Sequence, residues 1–183
     1  MRYLMKHRPG LTIVAALVIA GCGTTLAPDP VVPESALHFL TPDSGAPGFL
    51  GDTVRFYAVA GQDRSVVIYY QDSVPFMTFD VPANALAMAT GDSVLITVAI
   101  ADSTRLIVGF QPAGLTFVNG HPAELTLSYA HAKNSLPMDE SSLSLWKQEN
   151  PGEPWHKVSS NARADLQTVT GRVDGFTVYA TAY

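Results

Sequence analysis

The sequence predicts an all-β protein: an antiparallel β-sandwich of about ten short strands, preceded by a leader and a proline-rich tether. Three observations predict it. Apolar and polar residues alternate with a period of two over many short runs, most cleanly at Val94, Ile96, Val98 and Ile100. Gly, Pro, Asn and Asp separate those runs at short intervals. No helical periodicity is sustained long enough to make a helix of any length.

The first element is a leader. Residues 1–9 carry Arg2, Lys6 and Arg8 without an acid, and residues 11–20 follow without a charge. A basic stretch ahead of a short apolar run has the form of an export signal. The run is too short to cross a bilayer as a helix, which takes about 20 apolar residues. It closes on Ile19-Ala20-Gly21-Cys22, which resembles the lipobox of bacterial lipoproteins. That resemblance implies a thioether-linked diacylglycerol on Cys22, cleavage between Gly21 and Cys22, and further acylation such as palmitate. Two or more acyl chains, at ~0.8 kcal/mol per buried CH2, hold a protein to a membrane stably. Cys22 is the only cysteine, so no disulfide forms within the chain. Residues 1–21 thus read as signal peptide, with the membrane as a partner through Cys22. By the same resemblance, an aspartate after the cysteine would favour inner-membrane retention. Gly23 stands there instead, which points to the outer membrane where two membranes exist, and otherwise to the outer face of the cell membrane.

Charge excludes one class of function. The chain has 11 basic and 16 acidic side chains, and removing the leader leaves 8 against 16. No basic cluster remains to neutralise phosphates, so no nucleic-acid partner is expected.

Residues 22–50 read as the lipidated cysteine and a flexible tether. Pro28, Pro30 and Pro33 stiffen it, and Pro42, Gly45, Pro47 and Gly48 continue the irregular stretch. Leu37-His38-Phe39-Leu40 suggests a short edge strand within it. Residues 51–183 read as the sandwich domain. Strands at 53–59 and 65–70 flank Gly61-Gln62-Asp63, a hairpin signature. Met77, Phe79 and Val81 alternate with polar residues, and 82–86 turns the chain. The Val94 strand is followed by a turn at Asp102-Ser103 and by Leu106, Val108 and Phe110. Leu115-Thr116-Phe117 is short, Asn119-Gly120 turns, and Leu125, Leu127 and Tyr129 give one buried and one wet face. Residues 138–142 suit a single helical turn, and Leu143, Leu145 and Trp146 resume a strand. Asn150-Pro151-Gly152 turns into Trp155-His156-Lys157-Val158. Residues 166–173 and 176–180 close the chain as a pair around Asp174-Gly175.

Three stretches together resemble the ZU-five domain, the β-sandwich of ankyrins, netrin receptors, zonula-occludens proteins and bacterial lipoprotein relatives. The first is Phe79-Asp80-Val81-Pro82-Ala83-Asn84-Ala85-Leu86 with the Val94 strand. The second is Pro112-Ala113-Gly114-Leu115-Thr116-Phe117 leading to Pro122-Ala123-Glu124-Leu125-Thr126-Leu127-Ser128-Tyr129, like the family's paired strands. The third is Val173-Asp174-Gly175-Phe176-Thr177-Val178-Tyr179-Ala180. In some relatives the last stretch reads His-Phe-Ser, and the chain cuts itself before the serine. Here Gly175 stands for the histidine and Thr177 for the serine, around Phe176. A hydroxyl without a neighbouring base is a weak nucleophile, so the motif is a degenerate self-cleavage motif. Phe176 reads as core and Thr177 as a strand residue.

The remaining chemistry-bearing residues show no site spacing. His38, His121, His131 and His156 lack ligand spacing, and no metal or other cofactor is expected. Asp52, Asp63, Asp72, Asp92 and Asp102 stand beside turn residues, where aspartate closes turns through its own side chain. Trp146, Trp155, Tyr69, Tyr70 and Tyr129 fit either a core or a sugar- or protein-binding face. No Gly-x-Ser-x-Gly elbow is present, and no catalytic residue is assigned. The expectation is a non-catalytic, lipid-anchored envelope protein that presents a surface to a protein partner or serves a structural role. A carbohydrate-binding or hydrolytic domain with a site assembled from separate loops is the alternative, and a self-processing module cut at Phe176-Thr177 is a third.

Overall fold

The computed structural model describes residues 30–183. The leader, Gly21 and Cys22 lie outside the described residues. The fold is an all-β sandwich of two antiparallel sheets. The strands are β1 (Val31–Val32), β2 (Thr53–Val59), β3 (Arg64–Tyr69), β4 (Pro75–Val81), β5 (Ser93–Asp102), β6 (Ile107–Gln111), β7 (Ala123–Ser128), β8 (Ser144–Gln148), β9 (Trp155–Lys157), β10 (Ser160–Arg163), β11 (Thr168–Val173) and β12 (Val178–Ala182). A seven-stranded sheet runs β1-β9-β8-β12-β6-β5-β2, and a five-stranded sheet runs β10-β11-β7-β4-β3.

Period-two patterning builds the core between them. Phe56 and Ala58 of β2, Ile96 and Val98 of β5, and Val108 and Phe110 of β6 point inward from the seven-stranded sheet. They meet Val66, Ile68, Met77, Phe79, Leu125 and Leu127 of the five-stranded sheet. Phe79, Phe110 and Phe176 form an aromatic centre, with Phe110 4.7 Å from Phe79 and 5.5 Å from Phe176, centroid to centroid. The expected helical turn is a 3-10 turn at Glu140–Ser142, capped by the Asp139 side chain, which accepts from Ser141 N–H.

Two expected hairpins are instead crossings between sheets. β2 pairs with β5 and β3 with β4, so the turn at Gly61 carries the chain from one sheet to the other. Gly61 (φ +91°) donates its N–H to the Ala83 carbonyl, and Ala60 donates to that of Asp92. This crossing is thereby fastened to the return crossing between β4 and β5. Likewise β11 pairs with β7 and β10, whereas β12 pairs with β6 and β8, so Asp174-Gly175 is also a corner. Its backbone is zipped to 114–117: Phe176 N–H donates to Leu115, Phe117 N–H to Asp174 and Gly114 N–H to Phe176. Leu115-Thr116-Phe117 therefore contributes one bridge, Thr116 to Gly175, and is not paired with β7.

Residues 30–50 are packed, where the proline content suggests a free tether. β1 adds to the edge of β9, Phe39 bridges Ala182, and Leu40 is fully buried. Asp43 accepts the N–H groups of Lys133 and Asn134, and Phe49 bridges Tyr70. The segment 37–40 forms that single bridge and not a strand. Polar β10, which has no apolar alternation to announce it, pairs along its whole length with β11.

Candidate functional site

The sandwich has two outer faces, and their chemistry differs. On the five-stranded sheet the outward residues include Thr78, Asp80, Glu124, Thr126, Thr170 and Arg172. Thr126 and Thr170 meet hydroxyl to hydroxyl at 2.8 Å. That is an ordinary wet face.

The outer face of the seven-stranded sheet carries apolar residues beside polar ones such as Arg55 and Thr97. Its half near β8 and β9 is covered by the chain's own first segment. Leu37, Val32 and Phe39 pack there on Ile107, Trp146, Trp155, Ala180 and Ala182. Phe39 meets Trp155 edge-on at 5.1 Å, and Trp146 Nε1 donates to the Ala182 carbonyl at 3.2 Å. Arg105 clasps the segment: its guanidinium pairs with Glu34 and Asp102 and lies 5.3 Å from the centre of the Phe39 ring.

The other half of that face is open. Ala99, Gly109 and Val178 lie in one register row across β5, β6 and β12. They floor a groove of about 410 Å³ whose far wall is the end of β8 at Gln148 with Glu149, Asn150 and Pro151 of the β8–β9 connection. Gly109 deepens it, because the Cβ it lacks would lie 3.5 Å from Val178 and 3.6 Å from Ala101. Farther along β5, Leu95 sits directly opposite Tyr57 of the adjacent edge strand β2. They are 62% and 46% exposed, large side chains that the fold leaves in water. Glu149, at the groove wall, is held by Lys147 at 3.0 Å, and the same ammonium reaches Asp174 at 3.0 Å. Burial alone would lower the Lys147 ammonium, but its hydrogen bonds to the two carboxylates outweigh this and raise it.

The residues singled out in the sequence go elsewhere. Gly175 sits at the corner, where a Cβ would come within 3.1 Å of the Leu115 carbonyl. Phe176 is core, and buried Thr177 donates its hydroxyl proton to the Gln148 carbonyl. A hydroxyl so engaged is not poised for attack on its own peptide. The histidines are dispersed. His38 stacks on Tyr183, His121 meets the Asn84 amide at 2.7 Å, and His156 lies opposite Lys147 in the β8–β9 ladder. His131 lies 2.9 Å from Asp72, Nε2 to Oδ2, without the alignment of a hydrogen bond. Buried Tyr70 meets the His131 ring edge-on at 4.6 Å. Desolvation, with the Asp72 charge beside it, pushes the Tyr70 phenol well above its ordinary range.

Asp72 and Asp102 close turns, accepting the N–H groups of Val74 and Thr104, whereas Asp63 reaches across to the β4–β5 connection and accepts from Ala83 N–H. Asp52 and Asp92 contribute backbone carbonyls beside β2. Trp146, Trp155, Tyr70 and Tyr129 are buried, and only Tyr69 of that set is exposed. Among the described residues no three His, Cys, Asp or Glu side chains converge as a metal site, and no helix is long and apolar enough to cross a membrane.

The open half of the face was missed in the sequence. Leu95, Ala99 and Ala101 occupy the phase of β5 opposite to Val94, Ile96 and Val98, and Tyr57 stands between inward Phe56 and Ala58. Apolar residues on the solvent parity of a strand were the available signal. No family model, curated protein or solved structure matches this chain.

Proposed function

We propose that the chain is a lipid-anchored envelope protein that presents a non-catalytic, ZU-five-like β-sandwich to a protein partner. The observation that carries the reading is the position of the open apolar patch. Tyr57 and Leu95 lie on the two strands at the β2 end of the seven-stranded sheet, and the Ala99–Gly109–Val178 groove runs from the middle strand β12 toward them, whereas the chain enters at β1, the opposite end. Six inter-strand steps separate those edges, roughly 29 Å at about 4.8 Å each. Between Cys22 and Pro30 the chain spans at most about 28 Å. A lipid on Cys22 would hold the β1 edge close to the bilayer and leave the far patch free for a partner. The lipobox-like segment and Gly23 supply the anchor and its leaning toward an outer membrane.

Two measurements test this separately. Intact mass spectrometry of the protein from native membranes should give residues 22–183 plus lipid. An unlipidated chain would sink the anchor, and a chain ending at Phe176 would restore self-processing. Gly109→Leu should fill the groove without touching the core. It is expected to keep the lipidated mass and to lose the proteins captured by photo-crosslinkers placed on the β5 face; an unchanged crosslinking pattern would remove the groove from the reading.

A further inference from the structure

β2 is the outermost strand of the seven-stranded sheet, and its unpaired side can be derived from two hydrogen bonds. Ala60 N–H donates to the Asp92 carbonyl at 2.8 Å, and Ile100 N–H donates to the Asp52 carbonyl at 2.8 Å. These bonds continue the register Thr53↔Ala99 to Val59↔Ser93 at both ends. Hydrogen-bonded and non-hydrogen-bonded pairs alternate along an antiparallel ladder. Val54, Phe56 and Ala58 therefore direct their backbone groups at β5. Thr53, Arg55, Tyr57 and Val59 aim theirs outward. Among the described residues only the Val59 carbonyl of these has a partner, Gln62 N–H at 3.1 Å.

The other outer strands are better protected. β1 has 2 residues and β10 has 4. β3 is covered at its end, where Leu50 N–H donates to Tyr69 and Phe49 bridges Tyr70. β2 offers 7 residues that no segment among the described residues covers, and natural edges of that length are ordinarily shortened, charged or covered.

We propose that β2 is a self-association edge, to which a second copy of the chain adds its own β2 antiparallel about a two-fold axis at Phe56. The strand Thr53-Val54-Arg55-Phe56-Tyr57-Ala58-Val59 is self-complementary about that centre. Thr53 meets Val59 of the second copy and Arg55 meets its Tyr57, each twice by symmetry. All four outward residues then pair; with each Val59 carbonyl already accepting from Gln62, this gives about six to eight backbone hydrogen bonds. Each Arg55 guanidinium lies beside a Tyr57 ring, a favourable cation–π pair across the new ladder. Centring on Arg55 would set two guanidinium groups opposite each other, and centring on Tyr57 would leave Thr53 unpaired. The axis stands perpendicular to the sheet, so both grooves would open on one continuous face. The dimer requires neither the lipid anchor nor the partner.

The test uses the full-length chain in mild detergent, with mass measured by light scattering, and a photo-crosslinker at position 57 in intact cells. A dimer mass and a crosslinked dimer are expected. Tyr57→Pro removes one outward N–H and none that reaches β5, a position an edge strand tolerates. It should abolish the dimer while far-UV circular dichroism is retained. Tyr57→Arg alone, and the double variant Arg55→Asp with Tyr57→Asp alone, should each weaken self-association by more than about ten-fold, because like charges then face each other at both positions. Mixing the two should restore a heterodimer, which a merely unfolded variant would not do. A monomeric wild type at the highest soluble concentration overturns the proposal. So does a dimer indifferent to both the proline and the charge variants, or a crosslinker at 57 that captures only a different protein.

Discussion

The two outer faces of this sandwich share a backbone pattern and differ in what their outward residues are. β7 alternates Leu125 and Leu127 inward with Glu124 and Thr126 outward, the pattern of a sheet with one wet side. β8 and β12 are buried on both sides: Leu145 and Tyr179 face the main core, while Trp146, Ala180 and Ala182 face the cluster under residues 31–39. β5 lies between these cases, with Leu95, Ala99 and Ala101 outward beside Thr97 and nothing over them among the described residues. The inward parity of a strand reports the core. The outward parity reports what else touches the sheet, and here it distinguishes water, the chain's own first segment and an open surface.

Removing the cover's anchor tests that contrast most severely. Trp155 is 1% exposed and meets Phe39 edge-on beneath the first segment. Trp155→Ala should cost about 3–5 kcal/mol by losing transfer energy and leaving a cavity. Thr126→Ala on the wet face should stay within about 1 kcal/mol, the net worth of one hydroxyl–hydroxyl bond. Denaturant midpoints of the two variants measure the difference. Equal, small losses would mean that residues 31–39 do not belong to the cooperative unit.

The sequence revealed strands far better than it revealed their partners. Val94 to Ile100 and Thr53 to Val59 were legible because period-two burial is local information. Gly61 and Gly175 were misread because a turn residue reverses the chain without choosing a neighbour. β2 finds seven register partners in β5, and the corner at Gly175 is zipped to 114–117, both distant in sequence. Leu37 to Leu40 read as a short edge strand among prolines that suggested free chain, whereas the segment makes one bridge and buries Leu37 and Leu40 against the body. β10 carries Ser160, Asn161, Ala162 and Arg163, which announce no strand, and it forms because β11 offers an edge. Of the candidate site, Tyr57 and Leu95 could have been read from parity. The groove could not, because it needs the β5–β6–β12 row to place Ala99, Gly109 and Val178 together.

Two strand glycines, one in each sheet, sharpen the comparison at smaller amplitude and with opposite sign. At Gly171 of β11 a Cβ would lie 2.9 Å from both Leu145 Cδ1 and Ser160 Cβ, and 3.1 Å from the Ser159 carbonyl. Gly171→Ala should therefore destabilise by about 1–3 kcal/mol through overpacking. At Gly109 the nearest atoms are at 3.5 and 3.6 Å, ordinary contact at the floor of an open groove. Gly109→Ala should stabilise by up to about 1 kcal/mol, since it restricts the unfolded chain and adds contact. Melting temperatures shifting the same way in both variants would contradict the assignment of one glycine to a packed interior and the other to open space.

The mildest effect concerns the clasp that closes the first segment onto the sheet. Asp102 Oδ1 accepts from the Thr104 hydroxyl at 2.7 Å, and Oδ2 accepts from Arg105 Nε at 2.7 Å. The hydrogen bond from Thr104, followed by that from Arg105, lowers the Asp102 carboxyl from 3.8 to about 2. A carboxylate whose folded pKa is depressed adds stability above its unfolded value and loses it as pH falls toward the folded value. The contribution is thus present above about pH 4 and fades between about 4 and 2. Because the carboxylate keeps part of its surface in solvent, the expected change is small and weakens with salt. Protonation would also take one of the two carboxylates from Arg105, leaving Glu34 to hold the first segment. Melting curves across this window should fall more steeply for the wild type than for Asp102→Asn, which begins less stable and has no carboxylate left to protonate there. Parallel curves would show that the clasp does not couple the covered half of the sheet to acid.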